Sequence, residues 1–135
     1  MALMNLQLFA LLGRELAGTG LSYQDYLVLA ELSDRSDGTA RVIELGRCLG
    51  WEKSRVSHHI SRMEARGLVA RSKCPTDQRG SIVEATDVGR SAIAAAAPDH
   101  VAVVRRHFID LLTPEQLRML DDISRTVLAH LPTDL

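Results

Sequence analysis

Residues 43–67 read IELGRCLGWEKSRVSHHISRMEARG, and this stretch decides the fold. Ile43, Leu45 and Leu49 mark a short helix over 43–49, which Gly50 can terminate. A longer helix is predicted over 52–66, ended by Gly67. Only Gly50-Trp51 lies between them, so the chain must turn sharply, and Gly46 lets the two helices approach closely. This is helix-turn-helix geometry. In the second helix Val56, Ile60 and Met63 fall at i, i+4 and i+7 and face a core. The opposite face carries Ser54, Arg55, His58, Ser61 and Arg62, with Ser57 and His59 at its flanks and Lys53 at its start. A major groove accepts one helix, and hydroxyls, imidazoles and guanidinium groups are side chains that read its base edges. The alternative for such a face is an ordinary solvated surface helix.

Outward from this core the periodicity changes. Residues 68–73 and 81–84 read as two strands, joined by a polar loop that Pro75 and Gly80 punctuate, which makes a hairpin or wing. Arg79 at its tip can enter a narrow minor groove, with Asp77 fixing the guanidinium through a charge-assisted pair. A solvent-exposed turn pair is the plainer alternative. Upstream, a helix over 3–17 carries Leu3, Leu6, Phe9 and Leu16 on one side, and Gly18-Thr19-Gly20 breaks it. Ser22 caps the next helix with Asp25 as box partner. Leu21 staples to Tyr26, and the helix buries Tyr26, Leu29 and Leu32 to about Ser33. Thr39 to Val42 leaves room for a very short strand. Downstream, Thr86 caps a helix that Pro98 must kink or interrupt, and which resumes with Val101, Val104, Phe108 and Leu111 on one face. The last helix starts at Thr113, with Pro114 at its first position and Gln116 completing the box. Its apolar stripe includes Leu117, Leu120, Val127, Leu128 and Leu131.

The 135-residue chain has a net charge of −1, but residues 47–80 alone are +5. Eight basic side chains there (Arg47, Lys53, Arg55, Arg62, Arg66, Arg71, Lys73, Arg79) face three acidic ones (Glu52, Glu64, Asp77). A basic middle in an acidic frame is expected when one face meets phosphates and the rest must stay soluble. No apolar run reaches the ~20 residues that span a bilayer, and the N-terminal stretch lacks a basic leader and cleavage site. With only Cys48 and Cys74 there is no disulfide framework, and a reducing cytoplasm is expected.

The residues resemble those of the MarR family of bacterial regulators. The resemblance rests on Ile43-Glu44-Leu45-Gly46 through Leu49-Gly50, Lys53-Ser54-Arg55-Val56-Ser57, and Arg62-Met63-Glu64-Ala65-Arg66-Gly67-Leu68-Val69. It continues into Asp77-Gln78-Arg79 and Thr86-Asp87-Val88-Gly89. It implies a mainly α winged helix-turn-helix with a small β-wing, the DNA-binding region over about 22–90 and dimerisation helices over 1–20 and 91–135. It also implies a homodimer on a palindromic double-stranded DNA operator, often released by a small aromatic molecule or an oxidant. The recognition helix then supplies Ser54, Arg55, Ser57, His58 and Arg62, and the wing Asp77 and Arg79. Leu3, Leu6, Phe108, Leu111, Leu117, Leu120 and Leu128 are the expected dimer contacts. The family's effector cleft falls near Leu12, Tyr26 and Val101, residues equally well explained as core. Glu52 departs from the usual Ser or Thr helix cap, Gly46 replaces a usual alanine, and a first helix starting almost at Met1 implies a short N-terminal dimer contact.

Other chemistries find less support. His58-His59 point about 100° apart on a helix, and His100 and His107 have no partner carboxylate or cysteine at ligand spacing, so no metal is expected. Cys74, next to Lys73, is the better redox candidate, while Cys48 is expected to be buried. No phosphate-binding glycine loop, nucleophile elbow or paired carboxylates occur, so neither enzyme activity nor a cofactor is expected. A winged helix that binds protein rather than DNA is a further alternative. It predicts dispensable Arg55, Arg62 and Arg79 and binding that salt does not suppress.

Overall fold

The computed structural model describes residues 1–76 and 80–132. Among these residues six α-helices and three strands follow in order: α1 (Ala2–Leu16), α2 (Tyr23–Asp34), β1 (Thr39–Arg41), α3 (Val42–Leu49), α4 (Lys53–Ala65), β2 (Val69–Lys73), β3 (Ser81–Ala85), α5 (Asp87–His107) and α6 (Pro114–His130). The strands form one antiparallel sheet in the order β1-β3-β2, with Ala40 opposite Val83 and Arg71 opposite Val83 on its other side.

Local chemistry starts and stops these elements where the sequence signals them. The Asp25 amide donates to Ser22 Oγ (3.0 Å) while the Ser22 amide donates to Asp25 Oδ2 (2.9 Å), a reciprocal box opening α2. Thr113 and Gln116 do the same for α6. Gly50 closes α3 at φ 66°, a backbone conformation that costs glycine nothing. The turn into α4 is tight. Trp51 N–H donates to the Gly46 carbonyl at 2.9 Å, and a Cβ on Gly46 would lie 3.1 Å from the Trp51 carbonyl oxygen. Glu52 occupies the α4 cap position without a side-chain cap bond, as its departure from Ser or Thr implies.

Val28, Leu29, Leu45, Val56, Ile60, Met63 and Val83 are all fully buried, so α2, α3, α4 and β3 meet in one apolar centre. The i, i+4, i+7 stripe of α4 therefore sinks into this centre and turns the opposite face outward. Each fully buried side chain of this kind contributes roughly 1.5–3 kcal/mol.

The C-terminal half departs from expectation in two ways. Helix α5 runs unbroken through Pro98. Proline removes the bond to the carbonyl of Ala94, but Pro98 and Ala94 are both exposed, so water can take that carbonyl. The helix then stops at His107: Phe108 leaves it at φ −141°, and Ile109–Leu111 forms a separate 3₁₀ turn. Phe108 and Leu111 consequently do not extend the face of Val101 and Val104. Among the described residues, no helix is long and apolar enough to cross a membrane.

Helix α6 is the outlier in packing. It buries none of its residues, although its stripe is strongly apolar. Leu128 is 67% exposed, Leu111 72%, and Leu3 and Leu6 of α1 are similarly open, while Phe108, Leu117 and Leu120 are half-buried. Large exposed apolar side chains are thus carried by α1, the α5–α6 connection and α6.

Candidate nucleic-acid interface

Helix α4 presents Lys53, Ser54, Arg55, His58, Ser61 and Arg62 to solvent, with Ser57 half-buried at the edge. These are the groove-facing residues expected from the periodicity. His59 is the exception: it lies inward, only 8% exposed, rather than on the flank of this face. The physical reason is a carboxylate supplied by another element. His59 Nε2 sits 2.9 Å from Asp25 Oδ1, a close contact but bent away from the line of a well-formed hydrogen bond. Arg66 reaches the other oxygen of the same carboxylate at 2.7 Å and also donates to the Gly20 carbonyl.

Asp25 is thus a buried carboxylate (1% exposed) between His59 of α4 and Arg66 just past the end of that helix. Burial by itself would raise its pKa. The His59 and Arg66 contacts and the Ser22 amide outweigh that and hold the carboxyl well below its ordinary range. The capping box of α2 and the anchor of α4 share one side chain.

Two guanidinium groups on the outward face rest on internal supports. Arg55 lies 4.6 Å over the Trp51 ring, a cation–π arrangement. Arg62 donates through NH2 to His59 Nδ1 at 3.1 Å. Trp51 and His59 in turn meet edge to face, 5.3 Å between ring centroids. A cavity of about 550 Å³ opens over this group, lined by Ser22, Trp51, Arg55, His59, Arg62 and Arg66.

Other basic residues are engaged elsewhere. Arg71 NH2 donates to the Ser57 carbonyl (3.0 Å) and to Ser61 Oγ (3.2 Å), lacing strand β2 to α4. Arg66 and Arg71, counted in the basic segment, therefore tie the fold together as well as adding charge. Asp77 and Arg79, expected at the wing tip, lie outside the described residues.

The remaining candidates are placed as follows. Leu12 and Tyr26 are buried, whereas Val101 is 51% exposed. A cavity of about 240 Å³ does lie beside α1 and α5, but Glu15, Leu16, Asp99, His100, Val103 and Arg106 form it. The His100 ring lies tilted against Tyr26, 4.2 Å between centroids, and burial lowers its pKa. Cys74 is buried at the base of the wing, 3.3 Å from Thr76 Oγ1. Cys48 is exposed rather than buried. Desolvation, reinforced by Glu31, raises its thiol pKa against the opposing pull of Arg35, which disfavours the reactive thiolate.

The Asp25–His59–Arg66 cluster is the part of the site that sequence reasoning missed. Asp25 was legible only as a cap residue, and no periodicity links it to a side chain 41 positions away. The one available signal was a second histidine beside the outward-facing His58.

Comparison with known proteins places this geometry. Residues 19–80 match a MarR family model. AbsC, a MarR family transcriptional regulator from Streptomyces coelicolor, is 40% identical and superposes with a TM-score of 0.89, covering 94% of this chain and 86% of AbsC. Sco3205, a MarR family regulator from the same organism crystallised in complex with DNA, is 34% identical with a TM-score of 0.90, covering 98% of this chain and 84% of its own. An uncharacterised HTH-type transcriptional regulator, YdgJ of Bacillus subtilis (strain 168), is 26% identical over 109 residues; the match takes in 81% of this chain and 65% of YdgJ. With AbsC and Sco3205 matched at this identity over nearly their whole length, the chain belongs to the MarR family, a family of transcription regulators rather than enzymes.

Proposed function

We propose that the protein is a sequence-specific double-stranded DNA-binding regulator that acts as a homodimer and represses by occupying promoter DNA. The observation that carries this reading is the division of α4: Val56, Ile60 and Met63 fully buried, and Lys53, Arg55, His58 and Arg62 all projecting from the exposed face. Such a helix enters a major groove with its outward side chains on base edges, and arginine can pair bidentately with guanine. That Sco3205, 34% identical, was crystallised in complex with DNA supports DNA as the partner.

The test is fluorescence anisotropy with duplex DNA from upstream of the protein's own gene, against scrambled duplex, across a salt series. Selective binding that weakens steeply with salt is expected. Binding indifferent to both sequence and salt would overturn the reading in favour of a protein-binding winged helix. Arg62→Ala and His58→Ala are each expected to change preference among duplexes, Arg62→Ala by about 1–3 kcal/mol at one base position. Arg79→Ala should weaken binding to most sequences alike. All three leaving affinity and preference unchanged would refute the site assignment.

Dimerisation is supported by the uncovered apolar stripe of α6 and by a groove of about 560 Å³ between α1 and the α5–α6 connection, lined by Leu3, Met4, Leu8, Phe108, Leu111 and Leu112. A second copy would cover it, and two-fold symmetry would place recognition helices roughly 34–36 Å apart for half-sites one turn apart. Leu128→Glu changes a residue exposed in the protomer, so the fold should survive. A monomer by light scattering and operator affinity lower by about a hundredfold are expected, the loss that follows when two sites no longer bind together. A stable Leu128→Glu dimer would exclude this face.

Release by an effector requires a molecule that binds one spacing of the recognition helices better than the other. The cavity beside α1 and α5 supports a small ligand only, since its volume of about 240 Å³ is below the ~300–1,000 Å³ of ordinary ligand pockets.

A further inference from the structure

We propose that His59 is a positioning residue for DNA reading: held by Asp25 on α2, it fixes the Arg62 guanidinium on the outward face of α4. The proposal rests on Arg62 meeting DNA. Arg62 is exposed, and among the described residues its guanidinium has one hydrogen-bond partner, NH2 to His59 Nδ1 at 3.1 Å. A guanidinium has donors only, so the His59 Nδ1 that faces it must be bare and accept. The ring proton then belongs on Nε2, which faces the Asp25 carboxylate 2.9 Å away. Asp25 keeps its negative charge because Arg66 and the Ser22 amide hold its other oxygen. The tautomer that orients Arg62 is therefore set from α2, a different element from the one that carries the reading side chains.

The consequence for binding is entropic. An arginine tethered before it meets DNA loses less side-chain freedom on complex formation than one moving freely in water. Trp51 restrains Arg55 in a parallel way, and its edge contact with the His59 ring makes the two supports one packed unit.

Two amide substitutions separate the two ends of the ring. In His59→Asn the amide oxygen falls where Nδ1 was and can accept from Arg62, but the side chain does not reach Asp25. In His59→Gln the amide nitrogen reaches toward Asp25, and nothing accepts at the Nδ1 position. Full-length variants would be titrated by anisotropy on the duplex that the wild-type protein enriches from a random pool, and on a scrambled duplex. The temperature is set where circular dichroism shows them folded.

His59→Gln is expected to weaken the enriched duplex about three- to tenfold, the effect of ordering one long side chain on binding. Binding to the scrambled duplex should barely change, and His59→Asn, which keeps the acceptor for Arg62 but loses the hold of Asp25, should fall between the wild type and His59→Gln. Arg62→Ala should cost less in the His59→Gln background than in the wild type, the coupling that marks neighbours acting together. Equal losses in both amide variants, unchanged preference in His59→Gln, or an Arg62→Ala effect identical in both backgrounds would each overturn the proposal. If His59→Asn fails to fold, the Arg62→Ala cycle on His59→Gln decides alone. Failure of Arg62→Ala to alter preference in the wild type would instead sink the placement of Arg62 on DNA, and this inference with it. Failure to enrich any duplex would do the same.

Discussion

Gly89→Ala is expected to remove about 3 kcal/mol of stability or to prevent folding, although alanine is the better helix former. Gly89 is the third residue of α5, and its amide donates to Thr86 Oγ1 at 3.1 Å. Thr86 in turn donates its own amide to the Leu68 carbonyl (3.1 Å) and its hydroxyl to the Gly67 carbonyl. The start of α5 is thereby laced to the start of the hairpin. A Cβ at position 89 would lie 2.0 Å from the Leu68 carbonyl oxygen and 3.2 Å from Leu29 Cδ2. The first of these is backbone already committed to a hydrogen bond, so it cannot swing aside as a side-chain tip would. Overpacking at ordinary core sites costs about 1–3 kcal/mol, and a backbone clash belongs at or above the top of that range. The gain in helix propensity, about 1 kcal/mol, does not offset it. Gly18→Ala is the control: a Cβ there meets nothing within 4 Å, and a change within about ±0.5 kcal/mol is expected. Urea unfolding of both variants tests the contrast, and a wild-type midpoint for Gly89→Ala would refute this account of the α5–hairpin junction.

Asp25→Ala is expected to cost about 3 kcal/mol. Removing one partner of a buried ion pair typically costs about 3–5 kcal/mol because the other is stranded. The lower end applies because Arg66 is half exposed and its freed guanidinium can reach water, whereas His59 cannot. The same residue gives stability a defined dependence on pH. Its folded pKa lies below the ordinary ~3.9 of an aspartate in the unfolded chain. The unfolded state therefore binds the proton first on acidification. The contribution of Asp25 is complete above the unfolded value and is lost as pH falls from about 4 towards the folded pKa. Unfolding free energy of the wild type should decline through this window, and Asp25→Asn should flatten that part of the profile while lowering stability at neutral pH. An Asp25→Asn profile parallel to the wild type below about pH 4 would show that the carboxylate's charge plays no part in joining α2 to α4.

Both expectations concern joints between elements, and joints are where the reading of the sequence was weakest. The helix-turn-helix, the hairpin and three of the helix starts were legible because they rest on short-range chemistry. Ser22 with Asp25, Thr86 with Gly89 and Thr113 with Gln116 are each within four residues. The alternation of α4 between core and outward faces follows from its 3.6-residue period alone. His59 was misplaced for a related reason. Periodicity assigns an angle on the helix, and at the boundary between faces the partner decides which way the side chain turns. That partner, Asp25, comes from α2. Pro98 was expected to disturb α5 because its local penalty is real. The helix continues because the carbonyl left without a partner belongs to an exposed residue, a fact set by how α5 lies against the rest of the molecule.

The sequence by itself determined most of the helix, turn and strand segments (the continuity and end of α5 excepted), which face of α4 is apolar, and where positive charge accumulates, because these follow from residue type and spacing within a few positions. Only the tertiary structure decided that Asp25 anchors α4, that Arg55 and Arg62 rest on Trp51 and His59, and that α6 is left with its apolar stripe uncovered. Those facts depend on side chains brought together across tens of residues, by packing forces that no local pattern encodes.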